Sequence, residues 1–197
     1  APNGHYAATG GFFAEPWAHG PLTAPGSDNG VYSYGGDVFP ASTYGETNYW
    51  VDPIFDGTPQ EPPPDPDPEP DGAVTLFSTN DVPDNPSWND PGPIEVGVRF
   101  RPDGDGTITS IRFYKGPGNG GTHVGHLWRT DGTLLATAVF ADESATGWQE
   151  ADFATPVPVT GGTEYVASYQ APQGRYAASS GALKTARRCL FQHDRPV

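Results

Sequence analysis

The chain has 197 residues with a formal net charge of -14, and its 26 glycines and 23 prolines make up one residue in four. Residues so poor in helix interiors exclude a helical bundle, whereas 12% aromatic and 35% apolar residues suffice for a core, leaving a turn-rich β domain. With 24 Asp and Glu against 10 Lys and Arg, the surface repels a polyphosphate backbone, so nucleic acid is excluded as a partner, and without an apolar run of about eighteen residues no membrane insertion is expected.

Taken in chain order, the first segment matters most for its echo. Ala1-Pro2-Asn3-Gly4-His5-Tyr6-Ala7-Ala8-Thr9-Gly10-Gly11 aligns with Ala171-Pro172-Gln173-Gly174-Arg175-Tyr176-Ala177-Ala178-Ser179-Ser180-Gly181, seven identities in eleven positions at a constant offset of 170. Residues 1–56 are therefore expected to be the closing part of one repeat, and residues 72–181 the opening part of the next. Within 1–56, Val31 to Tyr34 and Asn48 to Phe55 read as strands in an otherwise Gly- and Pro-rich stretch.

Residues 57–71 form the boundary. From Pro59 to Asp71 run seven prolines and five acidic residues, a composition that favours an extended polyproline-II spacer of about 3.1 Å per residue. Roughly nine such residues reach about 28 Å, enough to cross a small domain.

Beyond it, short strands are predicted at Val74 to Ser78, Ile94 to Arg101, Thr107 to Tyr114, Thr122 to Arg129, Leu134 to Phe140, Trp148 to Phe153 and Glu164 to Tyr169. In the clearest, Ile94, Val96, Val98 and Phe100 alternate with Glu95, Gly97, Arg99 and Arg101, which predicts one buried and one wet face. The turn Asp103-Gly104-Asp105-Gly106 then reads as the bend of a hairpin into Thr107 to Tyr114. Short strands at this spacing indicate an all-β fold, an antiparallel β-sandwich of jelly-roll type. After Gly181 the composition changes: residues 182–197 hold Lys184, Arg187, Arg188, Arg195 and the single cysteine, Cys189, and are expected to be foreign to the repeat. One cysteine provides neither an intramolecular disulfide nor a metal framework. With no Met and no export signal of its own, the sequence is expected to be a mature product or a fragment.

Candidate chemistry is sparse. Gly116-x-Gly118-x-x-Gly121 fits a dinucleotide fingerprint only in its letters, because it joins two strands instead of opening a helix onto a phosphate. His123 and His126, three apart on a strand, point to opposite faces and read as surface or edge histidines. Asp81, Asp84 and Asp90, with Asn80, Asn85 and Asn89, crowd one loop with hard oxygen donors of the kind Ca²⁺ takes, although Asx turns before Pro83, Pro86 and Pro91 account for the same residues. No nucleophile or zinc motif is present, so an enzyme is not expected; the alternative is a glycoside hydrolase using two loop carboxylates. The remaining candidates are Trp17, Tyr44 and Trp88, aromatic rings among Gly, Pro, Asn and Asp that can stack on the face of a glycan, or can instead close the ends of the core.

The succession Ile111-Arg112-Phe113-Tyr114-Lys115, Gly121 to Trp128, Gly132 to Ala136, Gly147-Trp148-Gln149 and Tyr165 to Tyr169 resembles a domain-of-unknown-function family, number four thousand and eighty-two in that series. Gly4 to Ala7, Gly30-Val31-Tyr32 and Asn48 to Phe55 resemble the closing third of the same module. The resemblance implies a secreted bacterial or cell-surface β-sandwich, often in tandem and carried beside carbohydrate-active or immunoglobulin-like domains, with no established catalytic residues. Because the closing third precedes the opening two-thirds, Asn48 to Phe55 is expected to complete the sandwich of 72–178, either within the chain as a circular permutant or by strand exchange with a neighbouring copy. The expected function is that of a non-catalytic extracellular spacer or carbohydrate-binding module.

Overall fold

The computed structural model describes residues 12–35, 38–57 and 73–179; the whole Pro59 to Asp71 run, the 1–11 segment that echoes 171–181 and the 182–197 tail lie outside the described residues. The described residues form thirteen strands and no helix: β1 (Trp17–His19), β2 (Leu22–Ala24), β3 (Gly30–Tyr34), β4 (Ser42–Thr43), β5 (Val51–Gly57), β6 (Asn85–Asn89), β7 (Ile94–Pro102), β8 (Gly106–Lys115), β9 (Val124–Arg129), β10 (Leu134–Val139), β11 (Gly147–Val159), β12 (Tyr165–Ala171) and β13 (Arg175–Ala178). They build an antiparallel sandwich. The larger sheet runs β1-β2-β7-β12-β9-β10, with β3 on β7 and β4 on β3; the smaller runs β11-β8-β5, and β6 pairs with β13 as a separate ribbon.

The alternating strands supply the core. Ile94, Val96, Val98 and Phe100 of β7 are all buried, as are Ile108, Ile111 and Phe113 of β8. These two strands are not the hairpin that the sequence predicts. The turn after β7 carries the chain from the larger sheet to the smaller one, where β8 pairs with β11 and β5. Two strands with one apolar face each can bury those faces against one another across a sandwich, an arrangement that sequence adjacency alone does not reveal.

The expected wet face of β7 also departs from the sequence reading, because Glu95 and Gly97 are buried. Val31, Trp128 and Val166, with Phe39 packed on them, form a second apolar cluster apart from the main core. Trp128 also donates through Nε1 to Ser168, whose hydroxyl binds Glu95, so the carboxylate belongs to this covered region. At Gly97 a Cβ would stand 2.3 Å from the Ala167 carbonyl oxygen, so only glycine lets β12 approach this closely.

The two segments on either side of the Pro/acidic run form one sandwich. β5 pairs with β8 from Val51↔Phe113 to Gly57↔Gly106, and β3 pairs with β7 from Gly30↔Val98 to Tyr34↔Ile94, all within one chain. Phe55 and Val74 exchange backbone hydrogen bonds of 2.8 Å in both directions, so the run leaves and rejoins the fold at neighbouring points. Apart from that bridge, Val74 to Ser78 is not a strand. It lies across Asp52 and Arg112, where the carboxylate of Asp52 accepts the N–H groups of Leu76 and Phe77.

Candidate functional site

Of the three rings expected to meet a sugar, Trp17 is held by the fold. Its Nε1 donates to the Leu76 carbonyl at 2.8 Å, and its ring stacks on Phe77 at 6.1 Å and lies 5.4 Å from Phe12. Trp50 and Trp148 extend this cluster, and the Arg112 guanidinium sits 4.6 Å from the Trp148 ring centre. Trp17 thus closes one end of the core.

Tyr44 and Trp88 lie elsewhere. Tyr44, just after β4, is 52% exposed, while Trp88 on β6 is half-buried and opposite Tyr176 of β13 in register. Tyr176 leads to a group of phenols that the sequence reading did not assemble. Its ring meets Tyr49 at 5.6 Å, Tyr49 meets Tyr32 at 6.4 Å, and Tyr32 meets Tyr34 edge-on at 5.7 Å. The Tyr176 hydroxyl donates to Asp90 Oδ2 at 3.1 Å. Burial, then the nearby charges of Tyr32, Asp90, Tyr34 and Tyr44, push the Tyr49 phenol far above its ordinary pKa; burial and then Asp90 do the same to Tyr176. Both are neutral hydroxyls at any physiological pH. The result is a patch with a floor of Tyr49, Tyr176 and Asp90 and a rim of Tyr34, 58% exposed, and Tyr44. One signal for it was in the sequence: Tyr32 and Tyr34, two apart on a strand, share a face.

The three aspartates do not converge. Asp81 accepts the Ser78 N–H at 2.9 Å, Asp84 lends its backbone N–H to the Ser179 hydroxyl at 2.8 Å, and Asp90 faces Tyr176. Among the described residues no group of three or more His, Cys, Asp or Glu is placed to hold a metal ion. The acidic residues of this loop serve turn and strand contacts, as Asx chemistry allows.

Two buried polar clusters revise the histidine reading. Neither His123 nor His126 is on the surface, with 0% and 3% exposure, and they sit in different surroundings, His123 against Phe113 and Tyr169 and His126 against Trp128. His123 donates from Nδ1 to Glu143, which also pairs with Lys115 at 2.7 Å, and its ring packs against Phe113; burial pulls its pKa below the ordinary imidazole value more than Glu143 raises it. His126 donates from Nδ1 to Glu95 at 2.9 Å, and Ser168 donates to the same carboxylate oxygen at 2.6 Å. A serine, a histidine and a carboxylate therefore meet, but the serine hydroxyl gives its hydrogen to the acid and not to the imidazole. The nucleophile-to-base bond of a hydrolase triad is missing from this geometry. A groove of about 380 Å³ between β10 and β11, lined by Leu135, Thr137, Phe153, Pro156 and their neighbours, contains no titratable side chain.

The fold is an antiparallel β-sandwich that carries a patch of aromatic side chains. The chain belongs to the family described as a domain of unknown function, DUF4082, whose sequence profile matches residues 1–51 and 80–192. Neither among curated proteins nor among solved structures does anything match the chain.

Proposed function

We propose that the chain is a non-catalytic, extracellular or cell-surface module that binds a glycan at the tyrosine patch. The observation that carries this reading is the combination of two exposed rings, Tyr34 and Tyr44, with the neighbouring Tyr32, Tyr49 and Tyr176 phenols and the Asp90 carboxylate that accepts from Tyr176. Flat rings cover the C–H face of a pyranose, and hydroxyl and carboxylate groups bind its equatorial oxygens. Trp88, half-buried beside Tyr176, supports the floor, whereas Trp17 supports the core. A glycan array probed with the purified protein tests this. Binding lost in Tyr34→Ala and Tyr44→Ala but kept in Trp17→Phe supports the patch; turnover of a bound glycan overturns the non-catalytic reading, and binding unaffected by both tyrosine substitutions overturns the site.

A further inference from the structure

Asp90 is a carboxylate that the described residues provide with no counter-charge. It is 8% exposed, and its side chain accepts from the Tyr176 hydroxyl, a neutral group, at 3.1 Å. A carboxylate this deeply buried is ordinarily paired with a cation, because burial strips its hydration and a neutral donor returns only part of what is lost. Asp52 and Glu143, buried to a similar degree, have Arg112 and Lys115.

Sequence and topology both keep basic residues away from Asp90 and the tyrosines. Residues 1–57, the source of Tyr32, Tyr34, Tyr44 and Tyr49, contain no lysine or arginine. On β13, Arg175 and Tyr176 are successive and so face opposite sides; a Cβ added at Gly118 would stand 3.1 Å from Arg175 Cδ, which puts that side chain against the turn between β8 and β9. Arg99 and Arg101 lie on the other face of β7 from Ile94 and Val96, the register partners of Tyr34 and Tyr32, and Arg129 is two strands further across the sheet. The charged neighbours that act most on the Tyr49 and Tyr176 phenols are accordingly Asp90 and other tyrosines, all of them acids. The net charge of -14 on the whole chain has the same sign.

Such surroundings favour a cation. Tyrosine faces attract an ammonium group through the ring quadrupole, and a desolvated carboxylate adds a charge-assisted hydrogen bond. The rings of Tyr34, Tyr32, Tyr49 and Tyr176 follow one another at 5.7, 6.4 and 5.6 Å, from an exposed ring at one end to the phenol that holds Asp90 at the other. A sugar bearing hydroxyls alone leaves the carboxylate uncompensated, and an acidic sugar is repelled by it. Resting on the glycan reading of this patch, we propose that the sugar it takes is an amino sugar whose amine is free and positively charged, its ring on Tyr34 and Tyr44 and its ammonium on the Asp90 side. Acetylation of the amine removes the charge that selects it.

Calorimetric titration of the full chain with glucosamine tetramer and with N-acetylglucosamine tetramer tests this, because the two differ only in acetylation of the amines. The free-amine tetramer is expected to bind about tenfold more tightly or better, the effect of one charge-assisted contact, and to lose most of that advantage in about 0.5 M salt. Asp90→Asn, which keeps the shape and the Tyr176 contact, is expected to abolish the preference and to leave the melting temperature unchanged or higher. Equal or tighter binding of the acetylated tetramer overturns the inference and leaves the glycan reading standing, as does a preference that survives in folded Asp90→Asn protein. Binding of neither tetramer also overturns it, and the glycan reading falls as well only if the array is blank. Binding of an oligolysine peptide with none of the amino sugar assigns the patch to a cationic protein and overturns the inference.

Discussion

The carboxylate of Asp52 and the guanidinium of Arg112 meet at 2.9 Å in the interior of the protein, 60 residues apart in sequence and on opposite sides of the Pro/acidic run. They are register partners of β5 and β8, and they tie a third element to the pair: Arg112 donates to Thr75 and to the Phe77 carbonyl while Asp52 accepts from Leu76 and Phe77. Three separate pieces of chain thus converge on one ion pair. Because desolvation of both ions offsets much of their attraction, the pair contributes by leaving no charge uncompensated more than by net energy.

Removing one partner therefore costs more than removing both. Arg112→Leu is expected to destabilise by about 3–5 kcal/mol by leaving a buried carboxylate alone, and Asp52→Leu combined with it is expected to recover a large part of that loss. Urea denaturation of the single and double variants measures the difference. A double variant no more stable than Arg112→Leu would contradict this account of the pair.

The same carboxyl has a distinct pH signature. Burial outweighs Arg112 and the backbone donors and raises the Asp52 pKa from 3.8 to about 6. The native state then holds a proton at a pH where the unfolded chain has released it, so the stability this group contributes is full below about 4 and declines as the pH rises from about 4 to about 6. His123 has the opposite sign: its lowered pKa makes protonation unfavourable in the native state, and its contribution is lost as the pH falls below about 6.5. Carbon-13 chemical shifts of the Asp52 carboxyl in native protein are expected to titrate with a midpoint near 6. A midpoint below 4 would show that the ion pair dominates.

Trp17 and Tyr44 are expected to separate cleanly. Trp17→Ala opens the aromatic end of the core and is expected to cost about 3 kcal/mol, whereas Tyr44→Ala, at an exposed ring, is expected to change stability by less than about 0.5 kcal/mol while removing glycan binding. Thermal melts beside array binding check both. Loss of binding in Trp17→Ala protein that remains folded, with binding retained in Tyr44→Ala, would move the site to the Trp17 end.

The Pro/acidic run is expected to be dispensable for folding. Its two ends rejoin at the Phe55 and Val74 bridge, so it closes a loop and need not cross a gap. Replacing residues 58–72 by about seven Gly and Ser residues changes loop-closure entropy by only about 0.6 kcal/mol, in favour of the folded state. A melting temperature within a few degrees of the parent is expected, and a large fall would mean that the run itself packs on the sandwich.

How much of this was visible in the sequence depends on the range of the interaction. The strands β7 to β12 follow from local alternation, and the pairing of the 48–55 segment with the later part follows from the family resemblance, in which that segment is the closing piece that covers an open edge, with pairing inside one chain or between two copies left open. Long-range choices do not follow. Alternation along β7 divides two faces but says nothing about Trp128, Val31 and Phe39, so Glu95 reads as wet although it is buried. The link from β7 to β8 has the letters of a hairpin turn whether the strands pair in one sheet or face each other across the core. The tyrosine patch draws Tyr32, Tyr34, Tyr44 and Tyr49 from one segment and Asp90 and Tyr176 from the other, and no local window contains it. Short strands such as β1, β2 and β13 sit among Gly, Pro and Ala, where propensity is weak and tertiary contacts decide.

That division between two segments gives the most direct test of the whole account. A protease site placed within residues 58–72 allows the chain to be cut after folding, and the cut protein is expected to elute as one species containing both fragments in equal amount, to melt in a single transition and to retain any glycan binding of the intact chain. Separation of the fragments under native conditions, with residues 73–197 alone keeping the melting temperature of the intact protein, would contradict the claim that the two segments build one sandwich and one site.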